Sequence, residues 1–532
     1  MTKPVLIDTR GNPLPKAEAG RPVPSYEAGD PLSAELSGWH PSLWSADAEW
    51  LSERNSVIAR IRDLVRNNGW AAGAVRRECE SVIGAQLRLN YKPNYHALGL
   101  DAEWAAEFAQ QVEAKWQEYN QDPGFAADAE RHNTVAGLMG LAYRHYVIDG
   151  DAFAVLLWRP ERLAKYSTVI QVIDPDRLSN PFDAADQDRF RGGVEIDEDN
   201  AAVAYHIRKR HPFDVGWGTA HAFEWERVER ETWWGRPVAV HYFDKERAGQ
   251  TRGSSRLASI VEPLKMDHGL GKATLGAAVL NAILAAFIES PFDPAMVEEG
   301  FMTQGGLEKY QADRTAFHRD SRLSLGGVRI KHLFPGEKFS MNNVTQPSGN
   351  FEPFELSVLR KVASGAGMSY EQLTQDWSKT NYSSARAALL ETWRGFTARR
   401  TSFTQRFCTP IFGAWFEEAI DLGEIELPEG APDFYEARAA WTRCSWIGPA
   451  RGWVDPVKEA QAASMRIEGG LSTLQQECAE QGLDWEEVLD QQAREREARK
   501  RLGLPEPVTK NGKPVDEPDD RRPDERGGDA NA

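Results

Sequence analysis

The stretch FAVLLWR, Phe153 to Arg159, breaks the helical spacing of the chain before it. It is a short, continuous run of aromatic, branched and aliphatic residues between Asp151 and Pro160, which reads as a buried strand. Three later runs share its character: TVIQVI (Thr168 to Ile173), AVAYHIRK (Ala202 to Lys209) and VAVHYF (Val238 to Phe243). Upstream, Ala46 to Asn68, Trp70 to Ile83 and about Asp101 to Tyr119 carry apolar residues at three and four spacing, with Asn68-Gly69 as a break. Helices followed by strands make the first half an α+β unit.

Downstream of Gly253-Ser254-Ser255 the period returns to that of a helix. This helix contains ATLGAAVLNAILAAFI (Ala273 to Ile288) and is closed by Pro291 and Pro294. The stretch is uncharged but only 16 residues long, and a membrane span needs about 20. Ala273 with Ala277, and Ala278 with Ala282 and Ala286, recur at helical spacing, so neighbouring backbones can approach closely. It reads as a helix buried between helices, in one chain or at a subunit seam. Two more helices are expected at about Phe354 to Ala363 and Ser383 to Leu422. The second carries the apolar stripe Leu389, Trp393, Phe396, Phe403, Phe407, Ile411, Trp415 and Ile420. Arg386, Arg394, Arg399, Arg400 and Arg406 punctuate it, fit either for ion pairs on a helix face or subunit interface, or for phosphates in a pore. Further on, Asp455-Pro456, Ser472 with Gln475, and Asp484 with Glu487 read as helix starts. Gly469-Gly470 and Gly482 read as stops. REREARKR (Arg494 to Arg501) is charged on every side and should project into solvent.

Both ends read as unstructured. Lys3 to Pro31 holds six prolines, and is expected to be an extended arm that orders on a partner. Gly503 to Ala532 holds five prolines and eight acidic residues, and no aromatic residue follows Trp485. Between the helices, about Ser290 to Gly349 is mixed, with short strand signals at LSLGGVRIKHLF (Leu323 to Phe334). Its charge is split: Glu289 to Asp313 has six acidic and one basic residue, Arg314 to Lys338 six basic and two acidic. Such blocks are solvated faces or a protein docking surface.

The 532 residues carry a formal charge of -17. A broadly basic nucleic-acid surface is therefore excluded, and any DNA contact must be local or weak. Cys79, Cys408, Cys444 and Cys478 have neither metal-ligand nor disulfide spacing. MTKPVLIDTR has no apolar stretch of a secretory signal, so a cytosolic start is expected. HGLGKAT (His268 to Thr274) resembles half a phosphate loop, but Met266 stands at the first glycine and Ala273 at the hydroxyl. No zinc-protease, nucleophile-elbow or calcium-loop motif is present, and His132, His145, His206 and His211 are isolated. No enzyme, cofactor or metal is indicated.

Six strings, in order, together resemble the portal proteins of lambda-like tailed bacteriophages: RNNGWAAGAV (Arg66 to Val75), DPDRLSNP (Asp174 to Pro181), FDKERAGQTRGSS (Phe243 to Ser255), GMSYEQLTQDWSKTNYSSARAALLETWR (Gly367 to Arg394), CSWIGPARGWVDPVKEAQA (Cys444 to Ala462) and GLSTLQQECAEQG (Gly470 to Gly482). The resemblance implies an α+β, elongated, largely helical subunit that forms a ring oligomer, typically a dodecamer, at one capsid vertex. It implies an α+β wing (34–250), a stem helix (251–289), a small mixed α/β clip (290–349), a second stem helix (350–367), a channel loop (368–384) and a long helix with a helical crown-side region (385–502), while the flexible proline-rich arm (1–33) and the disordered tail (503–532) rest on composition alone. Implied partners are other copies of the chain, the terminase large subunit, head-completion and tail connector proteins, major capsid and scaffold proteins, and double-stranded DNA held without sequence specificity. No membrane is implied; the setting is the virion, after assembly in the bacterial cytoplasm. Lys379, the only basic residue between Met368 and Ser384, is the first candidate for DNA contact, with Arg394, Arg399 and Arg400 beside it. Arg314, Arg319, Arg322, Arg329 and Lys331 are candidate clip docking residues. Two other readings stay open: a nucleic-acid packaging enzyme (ATPase or nuclease), and a solitary interaction protein.

Overall fold

A computed structural model describes residues 38–162, 164–211, 223–284, 351–452 and 456–504, with a few positions in 28–36 and 312–330. Helices α1 (Ala46–Asn67) and α2 (Gly69–Val82) fall where the apolar spacing puts them. One residue makes the break between them: the Asn68 N–H donates to the Leu64 carbonyl, ending α1, while its side chain accepts from the Trp70 and Ala71 N–H groups, starting α2. After β1 (Arg88–Tyr91) and the one-turn α3 (Tyr95–Leu98), α4 (Ala102–Asn120) is capped by Asp101 and buries Phe108, Val112 and Trp116. Helix α5 (Val135–Asp149) was not expected from spacing. Its apolar residues, the exposed Leu141 among them, run around the helix, so no clean stripe marks it in the sequence.

The four strand runs are strands, but they divide between two sheets. β2 (Ala152–Trp158) lies between β3 (Thr168–Val172) and, further along the chain, β8 (Ala239–Tyr242), all antiparallel, with Leu156 opposite Ile170 and Ala154 opposite Val240. The Ala202 to Lys209 run is β6 (Ala202–Arg208) of a separate sheet. That sheet has the order β4 (Phe190–Arg191), β5 (Val194–Ile196), β6, β7 (Trp225–Glu229). Phe153 and Val155 of β2 pack with Val194, Tyr205 and Ile207 to form a second, smaller core between the sheets.

The helix after Gly253 starts at Val261, later than the expected 251: α6 (Val261–Leu284) follows a 3-10 turn at Ala258–Ile260 and an extended lead-in. HGLGKAT lies inside α6 as regular helix, which removes any phosphate cradle. β9 (Leu323–Leu325) and β10 (Val328–Ile330) pair antiparallel, in line with the strand signal there. α7 (Phe351–Ala366) packs on α6 and leads through the short α8 (Tyr370–Thr374) to α9 (Tyr382–Phe403).

The expected helix from Ser383 to Leu422 is a continuous helical path with a π-turn at Thr404–Cys408 before α10 (Thr409–Asp421). Pro410 has no N–H to return to the carbonyl four residues back, so a widened turn just before it relieves the ladder. Phe396, Phe403, Phe407, Ile411 and Trp415 of the stripe are fully buried. They join α2, α4 and α5 in one core that also takes in Trp441 of α11 (Arg438–Trp441). β11 (Cys444–Ile447) then pairs with β1, closing the chain back on residues 88–91. Of the expected caps, the box at Ser472 and Gln475 lies one residue later, at Thr473 and Gln476, before α13 (Leu474–Glu480). Asp455 lies outside the described residues; α12 (Pro456–Glu468) does begin at Pro456. Asp484 caps α14 (Trp485–Leu502), but Glu487 engages Arg88 and does not close a box. Neither α12 nor α14 has a buried residue. All four cysteines are free thiols, and among the described residues no helix is long and apolar enough to cross a membrane.

Candidate channel loop and its ionic anchors

The segment between α7 and α9 is built by short-range chemistry. Gly367 ends α7 with a left-handed backbone, φ +70°, a conformation that favours glycine. Ser369 and Gln372 form a reciprocal capping box at the start of α8, and Leu373 is sunk in the core. Gln375 closes α8 in a left-handed conformation. Asp376 then accepts from the N–H and hydroxyl of Ser378, at 3.0 and 2.6 Å, which holds its carboxyl below the ordinary range. Thr380 donates to Glu371 at 3.0 Å, and Asn381 caps α9 through the Ser384 N–H.

Lys379 reaches Glu352 at the base of α7, 2.8 Å away. Their side chains are 69% and 71% exposed, so the pair is screened by water and salt and leaves the ammonium available to a stronger anion. Its hydrogen bond to Glu352 raises the Lys379 pKa, which keeps the charge at all neutral pH. Arg394 is also exposed and pairs within its own helix with Glu391, at 3.2 Å. Arg399 and Arg400 turn inward. Arg399 meets Glu78 of α2 at 2.6 Å, and Arg400 donates to the Ser81 and Val82 carbonyls at 2.8 Å, capping the C-terminus of α2. Burial lowers the Arg400 pKa to about 10. Both guanidinium groups thus tie α9 to α2. Arg314, Arg319, Arg322 and Lys331 lie outside the described residues; of Arg329, the backbone is described, opposite Ser324 in the β9–β10 pair.

Sequence reasoning did not find the anchor behind this region. Asp151 is fully buried and takes four donors: Arg54 at 3.0 Å and Arg252 at 2.9 Å on one oxygen, His241 at 3.0 Å and the Gly253 N–H at 2.8 Å on the other. Arg252 gives three further donors to the carbonyls of Pro175, Leu178 and Gly192. Next to it the Thr251 N–H donates to Asp47, the Trp50 indole to the Gly253 carbonyl, and the Ser255 hydroxyl to the Val147 carbonyl. A Cβ at Gly253 would fall 2.0 Å from the Gly150 carbonyl oxygen, so the backbones cross there only because both residues are glycine. The string FDKERAGQTRGSS is therefore the knot that joins α1, α5, β2 and the second sheet to the lead-in of α6. DPDRLSNP serves the same joint: Arg62 of α1 binds Asp149, Asp174 and Asp176 at 2.7, 2.9 and 2.6 Å. His145, Asp149 and Asp174 come close enough together to suggest metal ligands. Arg62, bonded to both aspartates, already supplies the positive charge there.

Burial would raise the Asp151 pKa, but Arg252, the His241 hydrogen bond and Arg54 outweigh it and hold the carboxyl well below the usual range. Burial lowers the His241 pKa from its ordinary 6.5, so the neutral ring donates to Asp151. Both folded-state pKa values are depressed, and both groups bind protons more readily when unfolded. Stability from His241 is therefore complete above pH 6.5 and declines as pH falls below it, with that from Asp151 following below its ordinary 3.8. A melting series from pH 8 to pH 4 should show a falling transition temperature below about pH 6.5, with His241→Gln flattening the first part. A flat profile in the native protein would contradict this assignment.

Residues 33–400 match the phage portal protein family of the lambda type. The chain is 35% identical over 481 residues to the portal protein of Escherichia phage N15, covering 89% of this chain and 90% of that one. It is 34% identical over 482 residues to portal protein B of Escherichia phage lambda, covering 89% of each. It is 25% identical over 489 residues to a probable portal protein of Halomonas phage phiHAP-1, covering 90% of this chain and 88% of that one. With the family match spanning residues 33–400 and two relatives at 35% and 34% identity over 89% of the chain, the chain belongs to the lambda family of phage portal proteins.

Proposed function

We propose that copies of the chain assemble head to tail into a closed ring at one capsid vertex, typically twelve, through which DNA enters during packaging and leaves at ejection. The family match across residues 33–400 carries this reading. The helices add physical support. Gly269, Gly271 and Gly276 sit inside α6, and among the described residues nothing beyond their own helix lies within 4 Å of where a Cβ would stand. An interior glycine costs a helix about 1 kcal/mol relative to alanine, and close approach of a neighbouring backbone would offset it. Met266 and Leu275 of α6 and Phe354 of α7 are exposed apolar residues that a second copy would cover. Residues 34–250 would form the wing, 251–289 and 350–367 the stem, 290–349 the clip, 368–384 the channel loop and 385–502 the crown-side helices.

In this reading the clip meets the terminase large subunit and then the head-completion and tail connector proteins. The wing meets capsid and scaffold proteins. The whole ring sits in the virion after assembly in the bacterial cytoplasm. DNA passes without being gripped: about twelve copies bring some two hundred net negative charges around it, and Lys379 with Arg394 offers only scattered exposed cations. The test is genetic. In a phage deleted for this chain, capsids should accumulate empty, and the chain supplied in trans should fill them. Lys379→Ala supplied the same way should assemble yet lower the DNA retained per head. Capsids filled with DNA in the absence of the chain would overturn the reading.

A further inference from the structure

The inward turn of Arg399 leaves a question: what the residue does at the mouth of the loop. Its Nη2 donates to the Gly367 carbonyl at 3.3 Å, its Nη1 to Glu78 Oε1 at 2.6 Å, and its Nε to the Gly395 carbonyl at 3.1 Å. Gly367 is the left-handed residue at which the chain leaves α7 for the loop. Arg256, in the lead-in to α6, contacts the same Oε1 of Glu78 at 3.0 Å, and the Tyr143 hydroxyl donates to it at 3.2 Å. A Cβ placed on Gly367 would meet Arg399 Nη2 at 3.2 Å and Arg256 Nη2 at 3.3 Å. Two guanidinium groups, one from α9 and one from the lead-in to α6, thus flank one glycine, and one buried carboxylate holds both.

We infer that Arg399 is a positioning residue for the loop: braced on Glu78, it fixes the Gly367 carbonyl and so the direction in which residues 368–381 leave α7. The contacts around it divide the labour. α9 stays packed without Arg399, because Phe396 and Phe403 are fully buried on either side of it. The loop keeps its own capping box and its Leu373 anchor. Only the joint between the two depends on the fork of the guanidinium. A lysine at this position keeps the charge for Glu78 but cannot hold carboxylate and carbonyl together with planar donors. Glycine at 367 makes the brace necessary, since its backbone has more open conformations than any other residue.

The role of the loop in DNA passage rests on the proposed function, whereas the positioning itself can be read without DNA. Amide hydrogen exchange on the full-length chain compares the native protein with Arg399→Lys. Amides of residues 368–381 are expected to exchange about tenfold faster in the variant, with the melting temperature and the exchange of α4 and α10 unchanged. Glu78→Gln, which removes the charge but keeps hydrogen-bonding atoms, should move the same amides in the same direction and serves if Arg399→Lys folds poorly. Unchanged exchange at 368–381 in both variants would overturn the inference. DNA retained per head, measured on the same variants, separates the two readings. Faster exchange with lower retention supports positioning of a DNA-handling loop. Faster exchange with normal retention supports the positioning and removes the loop's part in DNA handling.

Discussion

Asp151→Ala is expected to cost about 3–5 kcal/mol, a large share of the roughly 5–15 kcal/mol that keeps an ordinary domain folded. The reason lies in what remains. Arg54 and Arg252 are both buried and both face the same oxygen of Asp151, so its removal leaves two cations in a dry interior. Burial and the neighbouring Arg252 already lower the Arg54 pKa to about 10 with Asp151 in place. Asp151→Asn keeps an acceptor for the Gly253 N–H and should fold partially, with a urea midpoint between native and alanine forms. Wild-type midpoints for both variants would show that the knot does not hold the α1, sheet and α6 regions together.

The second large effect is at Trp415. It is fully buried and meets Trp116 at 5.1 Å, Tyr166 at 5.6 Å and Phe412 at 5.8 Å between ring centroids. Truncation to alanine should cost about 3–5 kcal/mol through lost transfer energy and the cavity left behind. Trp415→Phe is the sharper test. The Trp415 indole N–H has no hydrogen-bond partner among the described residues, so phenylalanine loses packing area but no polar contact. It should cost well under half as much as alanine. Equal losses for the two variants would mean that the site depends on the indole nitrogen after all.

These two residues mark the limits of sequence reading. Trp415 was legible, because it belongs to a stripe whose spacing announces a buried helix face. The same stripe contained an unused signal: Arg399 and Arg400 stand three and four residues after Phe396, on the face that turns inward, while Arg394 does not. Their inward contacts could have been expected from that spacing. Asp151 was not legible. Its donors come from α1, β8 and the 252–253 segment, and no local spacing brings these together. Helix α5 escaped because its apolar residues surround it. The β1–β11 pair escaped because four-residue strands more than 350 positions apart leave no local pattern. The family strings, by contrast, were readable as words before their grammar was known: Asn68 as a double cap, Gly253 as a backbone crossing, Gly367 as a left-handed exit.

As a member of the portal family, the chain is a structural component of the phage head and not an enzyme. Its strongest chemistry is accordingly spent on joints: the buried carboxylates Asp151 and Glu78 each gather two arginines from distant segments. In the proposed ring, neighbouring copies would cover the exposed apolar residues of α6, α7 and α9.

The most direct test of this account is the native mass of the purified chain, measured with electron micrographs of the same sample. The proposed assembly requires rings with a central hole and a mass of about twelve chains of 59.5 kDa each. A stable particle of one chain, at high concentration and in both low and high salt, would contradict it.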